Sequence, residues 1–503
     1  MTKRWFKRWS APKGVPTGDG SRVPITDSDT GSDTDSDTDT VADEVADEVA
    51  EFDVLIGDPA AAPSVADETA LDRFAKNRPW FLNGTIVSGL GNSMSWMATS
   101  YVIYVQTSSV AISALVTVCS SVPSLLLGGV ATKIAGKWNE AKLFVVSGCA
   151  LGILGFLPVI MSVTGNLNTG NLLVWQLGIG IIIGLSAPAG AMITRFLAPP
   201  DGVPEFNAQI TRAKAISSVI GLLLGGAIYA AVGPTWVYLF NALSYFAPAL
   251  AVIPLVKRAA TPKAQTKMRE VIALRKEYPG LRGAFKACVA SCVVGSFSVA
   301  LPALGATIGK GAWILSVLQA SFVVGGLFVV VMVKRLHGHI GWGRVQRLCL
   351  LAMAVGLLVL AWVTRIDASP SRVFVFSVLL LIVVGYAIAT ETSVLSAVVQ
   401  VHAPEEHRGS VLTAYHMIPM AFVPISQEIV GFVTDYFTLA GGFSFCAICA
   451  LIAIVIGPRM GVGSAINKLD ETTDIPPVTA VVPHASGPDD RPIDGPRTLA
   501  RRR

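Results

Sequence analysis

The sequence predicts an all-α integral membrane protein of twelve transmembrane helices in two homologous six-helix bundles, on three observations. Of its 503 residues 52% are hydrophobic and 15% charged, with mean hydropathy +0.59, a balance that excludes an ordinary water-soluble domain. The apolar residues gather in blocks of about 20, the length that a helix rising 1.5 Å per residue needs to cross ~30 Å of hydrocarbon. Lys and Arg concentrate in every second connection between blocks, as they do where chain segments stay in the cytoplasm.

The first six spans are read at 80–105, 110–132, 143–163, 172–197, 215–232 and 235–256, and the second six at 284–308, 312–333, 348–363, 373–401, 411–432 and 439–456. The organisation that follows is an acidic tail at 1–74, an N-terminal bundle at 75–256, a cytoplasmic loop at 257–283, a C-terminal bundle at 284–460 and a second tail at 461–503. The first tail alternates acids with Ser and Thr from Asp27 to Asp39 and repeats Val-Ala-Asp-Glu around Asp43 and Asp47. It holds too little apolar surface to fold, lacks the glycine and ligand spacing of a calcium loop, and is read as solvated disorder. Its first residues, from Lys3 to Trp9, alternate cations with aromatics and suit an anionic membrane surface, without the apolar core of a signal peptide. The second tail is rich in Pro and Asp and ends in Arg501, Arg502 and Arg503.

Orientation follows from the basic loops. Lys133, Lys137 and Lys142 lie between spans two and three, Arg212 and Lys214 before span five, and Lys334, Arg335, Arg344 and Arg347 between spans eight and nine. The central loop adds Lys257, Arg258, Lys263 and others, whereas the alternate loops offer little beyond Lys310, Arg365 and Arg372. Both termini are therefore expected in the cytoplasm. The two halves also echo each other: Gly136 matches Gly341, Pro199 matches Pro404 and Gly226 matches Gly431, and the offsets 341−136, 404−199 and 431−226 all equal 205. An internal duplication is the economical reading.

Ionisable residues inside a membrane are costly and tend to be functional. Glu391 in span ten and His416 in span eleven fall at similar depth on adjacent helices. Such a carboxyl and imidazole can exchange a proton, or form a static pair, or be unrelated. Glu428, nearer the outer end of span eleven, reads as an outer-gate or helix-end residue. Span one carries Ser88, Asn92, Ser95 and Thr99 at helical spacing with Trp96 beside them, a stripe that suits water, substrate or another helix. The seven cysteines all lie within spans, so Cys446-x-x-Cys449 reads as apolar filling, and His337 and His339 lack a second ligand pair. No Walker-type phosphate loop is present, which argues against an ATP-driven pump, and the basic loops answer to topology and not to nucleic acid.

Four short pieces carry a family resemblance: Pro123-Ser-Leu-Leu-Leu-Gly128 in span two, Ala187-Pro188-Ala189 in span four, Asn241-Ala-Leu-Ser-Tyr245 in span six, and Pro404-Glu-Glu-His-Arg-Gly409 after span ten. In order and spacing, from about Ala75 to Ile456, the chain resembles the major facilitator superfamily, and within it the bacterial exporters that include the enterobactin and macrolide efflux proteins. The resemblance implies alternating access around a cavity lined by spans one, four, seven and ten, so that Gln176, Phe297 and Tyr386 join Asn92, Ser95, Trp96 and Thr99 as cavity candidates. It implies gating roles for Lys137 and Lys142 in the loop after span two and for Gly221, Gly225 and Gly226 in span five, the last three allowing close helix approach. The chain departs from the pattern at Asn92, where relatives carry Asp, at Gly136-Lys137, where the loop's Asp is missing, and at Leu222 in place of a Pro.

The expectation is thus a transporter and not an enzyme: a multi-pass protein of the bacterial inner membrane, monomeric and without cofactor, exporting a small organic molecule such as a drug, antibiotic or siderophore with the help of protons. A uniporter or importer, or a transport-inert sensor or scaffold that uses the acidic tail, are the alternatives.

Overall fold

Prolines set where the helices start and where they break. The computed structural model describes residues 53–54, 77–128, 130–131, 134, 138–198, 202–255, 266–267, 278–309, 311–329, 342–366, 368–404 and 408–457. The two tails apart from 53–54, most of the 257–283 loop, Lys137, His337 and His339 lie outside the described residues.

The N-terminal half comprises α1 (Arg78–Thr107), α2 (Val110–Leu126), α3 (Glu140–Val163), α4 (Thr169–Leu197), α5 (Val203–Val232), α6 (Pro234–Ser244) and α7 (Phe246–Val252). The C-terminal half comprises α8 (Pro279–Gly295), α9 (Leu301–Ile308), α10 (Ala312–Leu327), α11 (Trp342–Val363), α12 (Pro370–His402), α13 (Arg408–Tyr436) and α14 (Leu439–Ile456). A two-residue strand, Asp53–Val54, pairs antiparallel with Thr266–Lys267.

α1, α5, α6, α8, α9 and α12 each open with Pro in the first turn, where its missing N–H costs nothing. Side-chain caps close other starts: Ser109 Oγ accepts the Ile112 N–H at 3.1 Å, and Asn168 Oδ1 accepts that of Asn171 at 2.9 Å. The sixth span is one passage in two pieces, because Pro248 in α7 has no N–H to offer the Ser244 carbonyl four residues back. The seventh breaks likewise: a 3₁₀ stretch, Ser296–Ala300, joins α8 to α9, because in a continuous α-helix the ring of Pro302 would clash with the carbonyl of Ser298 four residues upstream of it.

Nine of the passages among the described residues are long and apolar enough to cross a membrane, and α2 and α10 are shorter apolar helices. With α1, 30 residues long but diluted by its polar stripe, they make twelve. Large apolar side chains face outward along them, among them Ile153, Val174, Phe432 and Val455, each more than 60% exposed, as lipid-facing residues must be.

Packing repeats between the halves. α1 lies on α5 as α8 lies on α13; α2 lies on α4 as α10 on α12; α3 contacts α4 and α6 as α11 contacts α12 and α14. The halves meet through α2 on α13 and α5 on α10. Glycine makes both seams close. A Cβ on Gly431 would stand 2.6 Å from Ala111 Cα, and one on Gly226 would strike the Ser316 side chain and lie 3.2 Å from Trp313 Cα. The two contacts are mates under the sequence repeat, since 316−111 and 431−226 both equal 205. Gly221 and Gly225, by contrast, bring α5 onto α1 inside one bundle, their Cβ positions lying 2.6 Å from the Leu90 carbonyl oxygen and 2.9 Å from Met94 Cα.

Candidate functional site: a neutral cavity and a buried carboxyl

Between the bundles is a cavity of about 490 Å³. α1 supplies Asn92, Ser95, Trp96 and Thr99 to its wall, and α4 supplies Trp175 and Gln176. Asn92 and Trp96 are exposed to it, while Ser95 and Thr99 are buried at its edge, Thr99 sharing a 3.2 Å hydrogen bond with Tyr238. Trp175 is fixed from behind, edge-on to Tyr238 and donating its indole N–H to the Leu154 carbonyl at 3.1 Å. The polar stripe of α1 thus turns inward because its opposite face, with Met94, Met97 and Ala98, fills the bundle core.

Sequence reasoning missed part of the wall. Ser113, Thr117 and Ser120 of α2, Gln319 and Phe322 of α10 and Gln427 of α13 line the same space. The three α2 hydroxyls recur at helical spacing, the signal that picks out α1, but serine in membrane helices commonly bonds its own backbone and so reads as bland. Phe297 and Tyr386 do not line this cavity. Phe297 is fully buried, edge-on to Phe322 at 5.5 Å and tilted against Phe443 at 6.5 Å, because the 3₁₀ stretch turns it into the C-terminal core. Every polar lining residue among those described is a hydroxyl, an amide or an indole; Asp, Glu, Lys, Arg and His are absent from it.

Glu391 occupies a different place. It lies on α12, 2% exposed, and its Oε1 is 2.7 Å from Ser291 Oγ on α8, while Oε2 has no hydrogen-bond partner. Ser291 Oγ is also 2.9 Å from the Ala287 carbonyl oxygen. One hydroxyl hydrogen therefore faces two acceptors. Ionised, the carboxylate takes it; protonated, the carboxyl can donate to Ser291 while Ser291 donates to Ala287. Cys288, Cys292, Cys349 and Tyr415 lie within electrostatic reach of the carboxyl. His416 is exposed and sits against the Tyr415 ring at 5.5 Å; no hydrogen bond or ion pair recorded among the described residues joins it to Glu391.

The seam of α2 and α13 carries a second ionisable cluster. Asp435 accepts hydrogen bonds from Ser109 Oγ at 2.6 Å, from the Val110 N–H at 2.8 Å and from the Ala111 N–H at 3.0 Å. A carboxylate from one bundle thus caps a helix of the other, where the peptide dipoles favour negative charge. Glu428, two turns earlier on α13, lines a crevice with Ser109 and Asp435 and has one carboxyl oxygen buried without a hydrogen-bond partner. Lys142 is exposed and lies 5.5 Å above the Trp138 ring at the start of α3. Cys446 and Cys449 are free thiols, and no cluster of three His, Cys, Asp or Glu suited to a metal occurs among the described residues.

Two pseudo-symmetric bundles around a central cavity, matched by the model of a transporter family, mark a secondary transporter that moves small molecules across a membrane, and not an enzyme. The model of the Major Facilitator Superfamily matches residues 81–424, and the chain belongs to that family. No curated protein matches it in sequence. In fold it is similar to a bacterial homologue of the iron transporter ferroportin in an inward-facing state (TM-score 0.60, 13% identity, 76% of this chain and 98% of that one). It is similar also to a D-xylose–proton symporter (0.56, 14%, 77% and 97%) and to a peptide transporter of the POT type bound to alafosfalin (0.58, 13%, 78% and 96%).

Proposed function

We propose that the chain is a proton-coupled exporter of a small organic molecule in a bacterial inner membrane, working as a monomer with both termini in the cytoplasm. The observation that carries the coupling is Glu391: a carboxyl buried between helices of one bundle, hydrogen-bonded to a serine that can either donate to it or accept from it. Such a site holds a proton in one state and releases it in another with no change of covalent partner. It lies apart from the cavity, so solute and proton interact through the rocking of the bundles and not by contact. His416 enters as a surface-exposed neighbour of Tyr415 that can relay a proton to water.

Orientation rests on charge. Lys142, Arg212, Lys214, Arg282, Arg344 and Arg347 fall near the starts of α3, α5, α8 and α11, which an up-and-down bundle brings to one end, the cytoplasmic one. The Asp435 cap then belongs to the outer end. Export as the direction rests on the resemblance to the efflux branch through Pro123–Gly128, Ala187–Ala189 and Pro404–Gly409.

The test is reconstitution into proteoliposomes with a trapped pH dye, right-side-out and inverted populations being compared under an imposed pH gradient. A transported solute should collapse the gradient as it moves against its own, in the outward sense only. Solute flux that proceeds equally with and without the gradient would mark a uniporter and end the coupling reading.

A further inference from the structure

The described wall of the central cavity is neutral, and several of its hydroxyls have already spent their hydrogens. Ser100 Oγ donates to the Trp96 carbonyl at 2.9 Å, Ser113 Oγ to that of Ser109 at 2.9 Å, and Ser120 Oγ to that of Thr117 at 3.1 Å. What these side chains still offer the cavity is an oxygen with free lone pairs. On the opposite bundle the Oε1 atoms of Gln319 and Gln427, both buried, have no partner. A buried acceptor left unpaired costs about 1–3 kcal/mol, so two of them on residues that line one cavity favour a ligand that brings donors. Trp96, 39% exposed, and the Phe322 ring line the same space.

We infer that the cavity takes an uncharged solute rich in hydroxyl or amide N–H donors that also presents an apolar ring or face to Trp96. The inference rests on the reading of this cavity as the transport site. Oxygen acceptors and aromatic rings also suit an organic cation, and magnitudes decide between the two. A cation–π contact contributes about 0.5–2 kcal/mol, whereas withdrawing an unpaired ion from water costs several kcal/mol, and no carboxylate among the described lining residues compensates it. An anion fares no better, because no Lys, Arg or His among the described lining residues compensates it. A donor-rich neutral solute pairs its donors with oxygens that lack partners and loses only its own hydration. The volume, about 490 Å³, lies in the range of sites for drug-sized ligands.

The probes are three sets of aryl compounds of similar size: aryl glycosides and hydroxylated anilides as neutral donors, aryl trimethylammonium salts as cations, and aryl phosphates as anions. Binding to the purified full-length protein is read by thermal shift, by tryptophan quenching, and by counterflow in proteoliposomes. Members of the neutral set should bind, Asn92→Ala and Gln427→Leu should each weaken them about two- to tenfold, and Asn92→Asp should gain at least tenfold for the cations. All three variants must first keep the wild-type elution profile in size exclusion; if Asn92→Asp does not, the losses of neutral binding in Asn92→Ala and Gln427→Leu decide the matter. Tighter binding of cations or anions by the wild type, sensitive to Asn92→Ala, would overturn the inference, as would silence of the whole neutral set. A neutral probe that binds in an Asn92-dependent manner but shows no counterflow would instead overturn the transport site and leave the ligand class standing.

Discussion

The carboxylate of Asp435 accepts the main-chain N–H of Val110 at 2.8 Å, joining residues 325 positions apart and belonging to different bundles. With the Ser109 hydroxyl and the Ala111 N–H on the same carboxylate, the start of α2 is capped from α13. Parting that end of the seam would break the cap, so it favours the closed arrangement of α2 and α13.

Asp435→Asn removes the charge and keeps the shape. Charge at a partly exposed helix start is worth about 0.3–1 kcal/mol, which predicts a shift of roughly two- to fivefold in the closed-to-open ratio at this end. Labelling of a cysteine placed at Ala111 should speed up by that factor in intact cells. An unchanged labelling rate would show that the cap does not bias the equilibrium.

Gly226→Val and Gly431→Val should act alike, because each pushes a side chain into the neighbouring bundle at positions related by the repeat. Both should hold the seam apart, raising outer accessibility and slowing transport, with little effect on melting temperature. Gly225→Val instead forces α5 off Met94 of α1 within one bundle and should cost about 1–3 kcal/mol of stability, read as a lower melting temperature.

Glu391→Gln keeps a hydrogen-bonding partner for Ser291 but cannot lose a proton. Transport against a gradient should fall by two orders of magnitude or more, while downhill exchange stays within about threefold and loses its dependence on pH. Ser291→Ala should shift the pH profile without abolishing coupling, since the carboxyl remains. His416→Ala, at an exposed site, should change uphill rates less than threefold. If Glu391→Gln still accumulates solute uphill, the carboxyl has a structural role only.

Cysteines at Asn166 and Ala368, in the connections after α3 and α11, should be labelled by an impermeant maleimide from outside intact cells, and one at Thr261 should not. Labelling of Thr261 in sealed cells would reverse the orientation.

Much of this was legible in the chain because lipid imposes simple rules. Block length and apolarity marked each passage, and the offset of 205 between Gly226 and Gly431 anticipated two glycines at equivalent seams. The polar stripe of α1 gave the direction its residues face, since only one side of that helix was polar. Around Phe297 the helical period itself changes, because the 3₁₀ stretch Ser296–Ala300 that contains it breaks the α-helical phase and turns the ring into the core while Ser298 lines the cavity. Depth along helices likewise placed Glu391 and His416 side by side in sequence reasoning, yet azimuth sends one inward and the other out. Asp435 was hidden for another reason: it follows the apolar block of its span, and what it binds is a helix end far upstream.

The neutrality of the cavity also has an electrical meaning. Each elementary charge carried through a membrane potential of 100 mV exchanges about 2.3 kcal/mol with the field. A transporter whose wall and cargo are both uncharged reorients around its load without feeling that force. Under the proposed coupling, voltage enters its cycle through the proton, and a current measured across a bilayer holding this protein would count the protons passed at Glu391.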